Sequence, residues 1–80
     1  MATSPYRAMW LIAMFDLPVT DKKARKAYTR FRKVLLRDGF CMLQFSVYGR
    51  YCASEEASQV HRKRVVDNLP PEGNVRLMAL

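Results

Sequence analysis

Eighty residues make one domain at most, with a thin core, and a chain that is half hydrophobic is not a disordered one. The net charge is +7, from 14 Lys and Arg against 7 Asp and Glu, and that balance points to a polyanionic partner such as DNA or RNA. The longest apolar run, Ala8 to Phe15, is too short to span a bilayer and lacks the flanks of a signal peptide, so the sequence predicts a cytoplasmic protein with no membrane contact.

Residues 1–80 read as a single domain. Residues 1–7 have no hydrophobic period and are expected to form a loose tail. Met9 to Phe15 is a continuous apolar run of strand length, as a central strand covered on both faces requires. Asp16 ends it, and Leu17-Pro18 breaks it. A helix is expected from about Thr20 or Asp21 to Arg37, with Thr20 as N-cap. Ala24, Ala27, Tyr28, Phe31, Val34 and Leu35 form its apolar arc. Lys22, Lys23, Arg25, Lys26, Arg30, Arg32, Lys33 and Arg37 fill the rest, and no acid interrupts them. Asp38-Gly39 supplies the stop.

Phe40 to Cys52 is rich in β-formers but carries no Asn-Gly or Asp-Gly hairpin signal. It reads either as one bent strand or as two strands meeting near Ser46. Ser54 is the expected N-cap of a second helix that runs to about Asn68, with Ala53, Ala57, Val60 and Val65 as its apolar stripe. A Pro-Pro loop follows, and Val75 to Leu80 reads as a last strand. The order predicts an α+β two-layer sandwich, with two helices on one face of a mostly antiparallel sheet. A thin core of this kind often relies on a partner, so a homodimer is expected.

Asp16 is the sharpest chemical feature. A carboxylate where a central strand leaves the sheet can hold a hard cation such as Mg²⁺, which could then act on a phosphodiester. It can equally cap the turn or the following helix. Only Asp21 lies near it in sequence, and a homodimer could double the site if the two strand ends face each other. Lys22, Lys23, Lys26, Arg30, Lys33 and Arg37 are the candidate nucleic-acid contacts, suited to the phosphate backbone and blind to sequence. Phe45, Tyr48 and Tyr51 raise a rival possibility, a sheet that stacks unpaired bases, but core packing is the preferred reading of these rings. His61 is expected at the surface, and Cys41 and Cys52 as free buried thiols.

Several of these segments together resemble a known family. They are Met14-Phe15-Asp16-Leu17-Pro18, the basic helix with Tyr28, Phe31 and Arg32-Lys33 closing on Gly39, the run Gln44-Phe45-Ser46-Val47-Tyr48, and Leu69-Pro70 with Gly73 ahead of Val75-Arg76. Over about residues 9–80 the chain is similar to the second universal CRISPR-associated protein, the small partner of the spacer integrase. The resemblance implies a ferredoxin-like βαββαβ fold, with strands two and three within Phe40 to Cys52, and a homodimer. It implies a scaffold in spacer acquisition that binds duplex DNA and bridges integrase dimers. The alternative it implies is a Mg²⁺-dependent endonuclease on RNA or duplex DNA, with Asp16 from each protomer as catalytic metal ligand. A third reading is an unrelated RNA-binding or toxin-like domain of the same fold. Phe15 and Met42 stand where many members have Tyr and Arg. Members usually continue beyond the position of Leu80, so a shortened C-terminal end is expected.

Overall fold

The first strand, β1 (Met9–Asp16), alternates its side chains between two different surroundings. Leu11, Ala13 and Phe15 are buried beneath the helices, whereas Trp10, Met14 and Asp16 project from the other face of the sheet. A computed structural model describes residues 8–80, and the expected N-terminal tail lies outside the described residues. Next come α1 (Lys22–Arg37), β2 (Cys41–Gln44), β3 (Val47–Cys52), α2 (Glu55–Asp67) and β4 (Asn74–Ala79). The four strands form one antiparallel sheet in the order β2-β3-β1-β4. This is the ferredoxin-like α+β arrangement, with β1 paired on both sides.

Phe40 to Cys52 is two strands. Between them lie Phe45 and Ser46, and Ser46 takes the left-handed conformation, φ 62°, without a glycine. The Phe15 N–H donates to the Ser46 carbonyl at 3.0 Å, which pins the turn to the end of β1.

Asp21, and not Thr20, caps α1: its carboxylate accepts from the Ala24 N–H at 2.7 Å. At the other end the Gly39 N–H donates to Leu36 and the Phe40 N–H to Leu35, with Gly39 at φ 89°. These paired bonds close the helix and turn Phe40 into the core. Ser54 caps α2, accepting from the Ala57 N–H at 3.0 Å.

The core is largely aromatic. Phe15 stacks on Tyr48 at 5.5 Å between centroids and meets Phe31 edge-on at 5.2 Å. Leu11, Leu35, Phe40, Cys52 and Val65 complete it. Burial pushes the Cys52 thiol up from its ordinary range, whereas Cys41 is exposed, contrary to expectation.

The stripe expected on α2 is also corrected. Ser58 and Val65 are its buried residues, and Val60 is exposed. Val60 is turned outward because α2 presents a polar seam to the end of α1. His61 Nδ1 lies 2.8 Å from one carboxylate oxygen of Asp38, and Arg64 donates to the other at 2.5 Å. The Asp38 side chain is only 5% exposed, His61 12% and Arg64 59%. His61 is therefore not a surface residue. Arg50 adds a bond from its Nε to the Asp38 carbonyl at 2.7 Å, so the end of α1 is tied to both α2 and β3.

This seam makes a stability prediction. Asp38→Ala strands a nearly buried imidazole and should cost roughly 1–3 kcal/mol. Arg64→Ala removes a largely solvated partner and should cost about 1 kcal/mol or less. Urea unfolding of both variants checks the order; equal losses would show that the seam is not held through Asp38.

Candidate functional site at the end of the first strand

Asp16 is the last residue of β1, and its backbone pairs with Asn74 of β4. Side chains alternate along β1, so the carboxylate shares the open face with Trp10, Ile12 and Met14. It is exposed, and among the described residues no ion pair holds it. Phe15 points to the opposite face, into the core, so its ring shapes the packing and not the surroundings of this carboxylate.

Gly73 positions this strand end from the other side. Its φ is 97°, and a Cβ there would lie 2.7 Å from the Asp16 carbonyl oxygen and 2.7 Å from Leu17 Cδ2. Only a residue without a side chain lets the loop before β4 pass so close to β1.

A divalent cation needs more than this chain alone supplies. Among the described residues no three His, Cys, Asp or Glu side chains gather into a metal-binding group. Mg²⁺ keeps several waters and takes one or two carboxylates. Asp16 fits as one of two such ligands, and Asn74, its Cα partner on β4, occupies the same face of the sheet. The donor set is all oxygen, which suits Mg²⁺.

The open face that carries Asp16 is largely apolar, although Arg76, the partner of Met14, is exposed on it. Trp10 meets Tyr51 edge-on at 5.8 Å, and Leu43, Met78 and Leu80 are exposed. Ile12, at 7% exposure, is covered because Leu43 and Trp10 close over the bare backbone of Gly49.

The cationic candidates lie on the other layer. Lys22, Lys26, Arg30, Lys33 and Arg37, joined by Arg25, line one shallow groove along the outer side of α1. Lys23 instead lines a second groove, shared with Leu69, Pro70 and Glu72 of the α2–β4 loop. Arg32 stays exposed but leans toward the sheet, and its Nε donates to the Tyr48 hydroxyl at 2.7 Å. The structure thus gathers five of the six candidate cations and keeps all of them away from the face that holds Asp16.

Compared with known proteins, residues 9–80 match the family described as CRISPR associated protein Cas2. The chain belongs to the Cas2 family. A CRISPR-associated endoribonuclease Cas2 of Parvibaculum lavamentivorans is 58% identical over 72 residues, covering 90% of this chain and 71% of that protein. The protein of the same name from Flavobacterium psychrophilum is 48% identical over 75 residues, covering 94% and 65%. That from Acidovorax ebreus is 50% identical over 72 residues, covering 90% and 71%. The chain therefore spans 65 to 71% of the length of these Cas2 relatives. Membership in the Cas2 family sets aside an unrelated RNA-binding or toxin-like domain. No helix among the described residues is long and apolar enough to cross a membrane.

Two features of the structure have no signal in the sequence: the close approach of Gly73 to β1, and the exposure of Phe45 at the β2–β3 turn. Gly73→Ala tests the first. At a compatible site Gly→Ala stabilises by about 0.4–1 kcal/mol, and here it should destabilise by about 1 kcal/mol or more. Chemical denaturation reads the sign, and a neutral or stabilising result would contradict the packing against Asp16.

Proposed function

We propose that this chain acts in CRISPR defence as a homodimeric, Mg²⁺-dependent endonuclease that cuts RNA, with Asp16 of two copies forming the metal site. The carrying observation is an exposed carboxylate at the end of a central strand, on a sheet face apolar enough to pack against a second copy. The Cas2 relatives named endoribonucleases support the substrate class. When bound, Mg²⁺ would neutralise charge on the scissile phosphate and activate a water. The protein's own residues fix the two carboxylates, through the β1–β4 pairing and the Gly73 contact. Packing of the two open faces against each other would shield the rest of the sheet from water. Asp16→Asn keeps the shape and removes the charge. It should abolish metal-dependent cleavage of RNA while leaving nucleic-acid binding intact; equal cleavage by both proteins would remove Asp16 from the reaction.

A second reading is favoured by the groove along α1. If two sheets pack face to face, both basic helices lie on the outside of the dimer. That arrangement suits a scaffold that holds duplex DNA between integrase dimers during spacer acquisition, and it needs no cleavage. Binding would then be electrostatic and indifferent to sequence. Replacing Lys26, Arg30 and Lys33 by Glu should weaken duplex binding. It should also make the slope of log affinity against log salt shallower by about 0.9 for each phosphate no longer neutralised. An unchanged slope would place the DNA elsewhere.

A further inference from the structure

Phe45 is 77% exposed, at a turn, although its residue type predicts a core position. Single exposed hydrophobics are common and need no explanation. Phe45 differs because its ring is held in place. It stacks on Tyr28, with centroids 6.1 Å apart and planes inclined by 20°. Tyr28 in turn leans on buried Phe15, at 5.8 Å and 60°. The Tyr28 hydroxyl is within 3.4 Å of Ser46 Oγ, and the Ser46 carbonyl accepts from the Phe15 N–H. The turn, the helix and β1 therefore fix one face of the Phe45 ring and leave the rest open to solvent.

Two cations neighbour Tyr28 on the helix that carries this stack. Arg25 and Arg32 lie three residues before and four after Tyr28, which places them next to it on the helix surface. Both are exposed. Arg32 is braced by its bond to Tyr48, and Arg25 by one from its guanidinium to the Val19 carbonyl at 3.4 Å. A preset aromatic face can stack an unpaired base, and arginines on the adjoining helix surface can hold the phosphates beside it. In a duplex the bases are already stacked on one another, so the platform offers a double strand nothing.

We propose that Phe45, stacked on Tyr28, is a binding platform for an unpaired nucleobase of a single-stranded nucleic acid, with Arg25 and Arg32 beside Tyr28 on the helix as candidate phosphate contacts. The inference rests on the nucleic-acid-binding reading above and deepens it by naming the residues that would hold an unpaired base. The Phe15–Ser46 bond sets the platform at the end of the sheet where Asp16 stands, so a base held there brings its strand to the candidate site.

The test is fluorescence anisotropy with unstructured single-stranded RNA, single-stranded DNA of the same sequence, and a duplex, at one fixed low salt concentration. Phe45→Ala should weaken binding of the single strand by about five-fold or more and leave the duplex unchanged. Phe45→Trp should retain single-strand affinity. The RNA and DNA arms show which strand the platform prefers. Equal binding of single strands by Phe45→Ala and wild type would overturn the platform while leaving the nucleic-acid reading in place. A change confined to the mass seen by light scattering would assign Phe45 to a protein contact and also overturn it. No binding of any of the three probes by wild type would overturn both. Phe45 is exposed, so urea unfolding of the Ala variant should match wild type and exclude a folding defect.

Discussion

Everything in this chain depends on the alternation of side chains along β1. The strand is paired on both sides, so it cannot slip by one residue without inverting both of its faces. One set, Leu11, Ala13 and Phe15, is fixed under the helices by the aromatic packing of Phe31 and Tyr48. The other set must then face the open side, ending in Asp16. The same contacts that bury the core thus decide where the carboxylate points. The exposed apolar surface beside it follows from the same constraint, because Trp10, Tyr51 and Met78 have no helix to cover them.

The constraint also separates the charges. The groove of lysines and arginines runs along the solvent side of α1, opposite the residues that α1 buries, and Asp16 lies beyond the sheet. The cations therefore do not serve the carboxylate directly. A polyanion can lie along the helix layer while the sheet layer is occupied by a second chain. The two proposed activities, holding a nucleic acid and cutting one, consequently use different surfaces and can be removed separately. The Phe45 platform is at the edge between those layers, carried by a turn that touches both.

Much of this is legible in the sequence where a local signal matches the tertiary outcome. The run Met9 to Phe15 announces a central strand, Ser54 a cap, and Gly39 a stop, because each has a backbone requirement that few residues meet. The single apolar arc of α1 also sets its orientation. The β2–β3 turn is ambiguous in sequence because Ser46 adopts a conformation usually signalled by glycine or asparagine. The face of α2 is not legible because Asp38, 23 residues before His61 and 26 before Arg64, draws a polar seam inward, and no pattern within α2 records that distant partner. Residue type alone assigns Phe45 to the core. It lies instead in a two-residue turn, with its ring resting on Tyr28. Asp16 stands out in the sequence as a strand-ending carboxylate, but the sequence alone does not separate a cap from a ligand. Asp21 performs the capping, which leaves the Asp16 carboxylate unengaged by that role.

The central claim is that two copies of Asp16 are brought together by the open sheet face to make one cation site. Mn²⁺, an oxygen-seeking substitute for Mg²⁺ that is visible by electron paramagnetic resonance, reads this directly. Titrated into the protein, it should saturate at one ion for every two chains, and Asp16→Asn should remove that binding while the dimer persists. Saturation at one ion per chain, or binding that survives the substitution, would contradict the shared site.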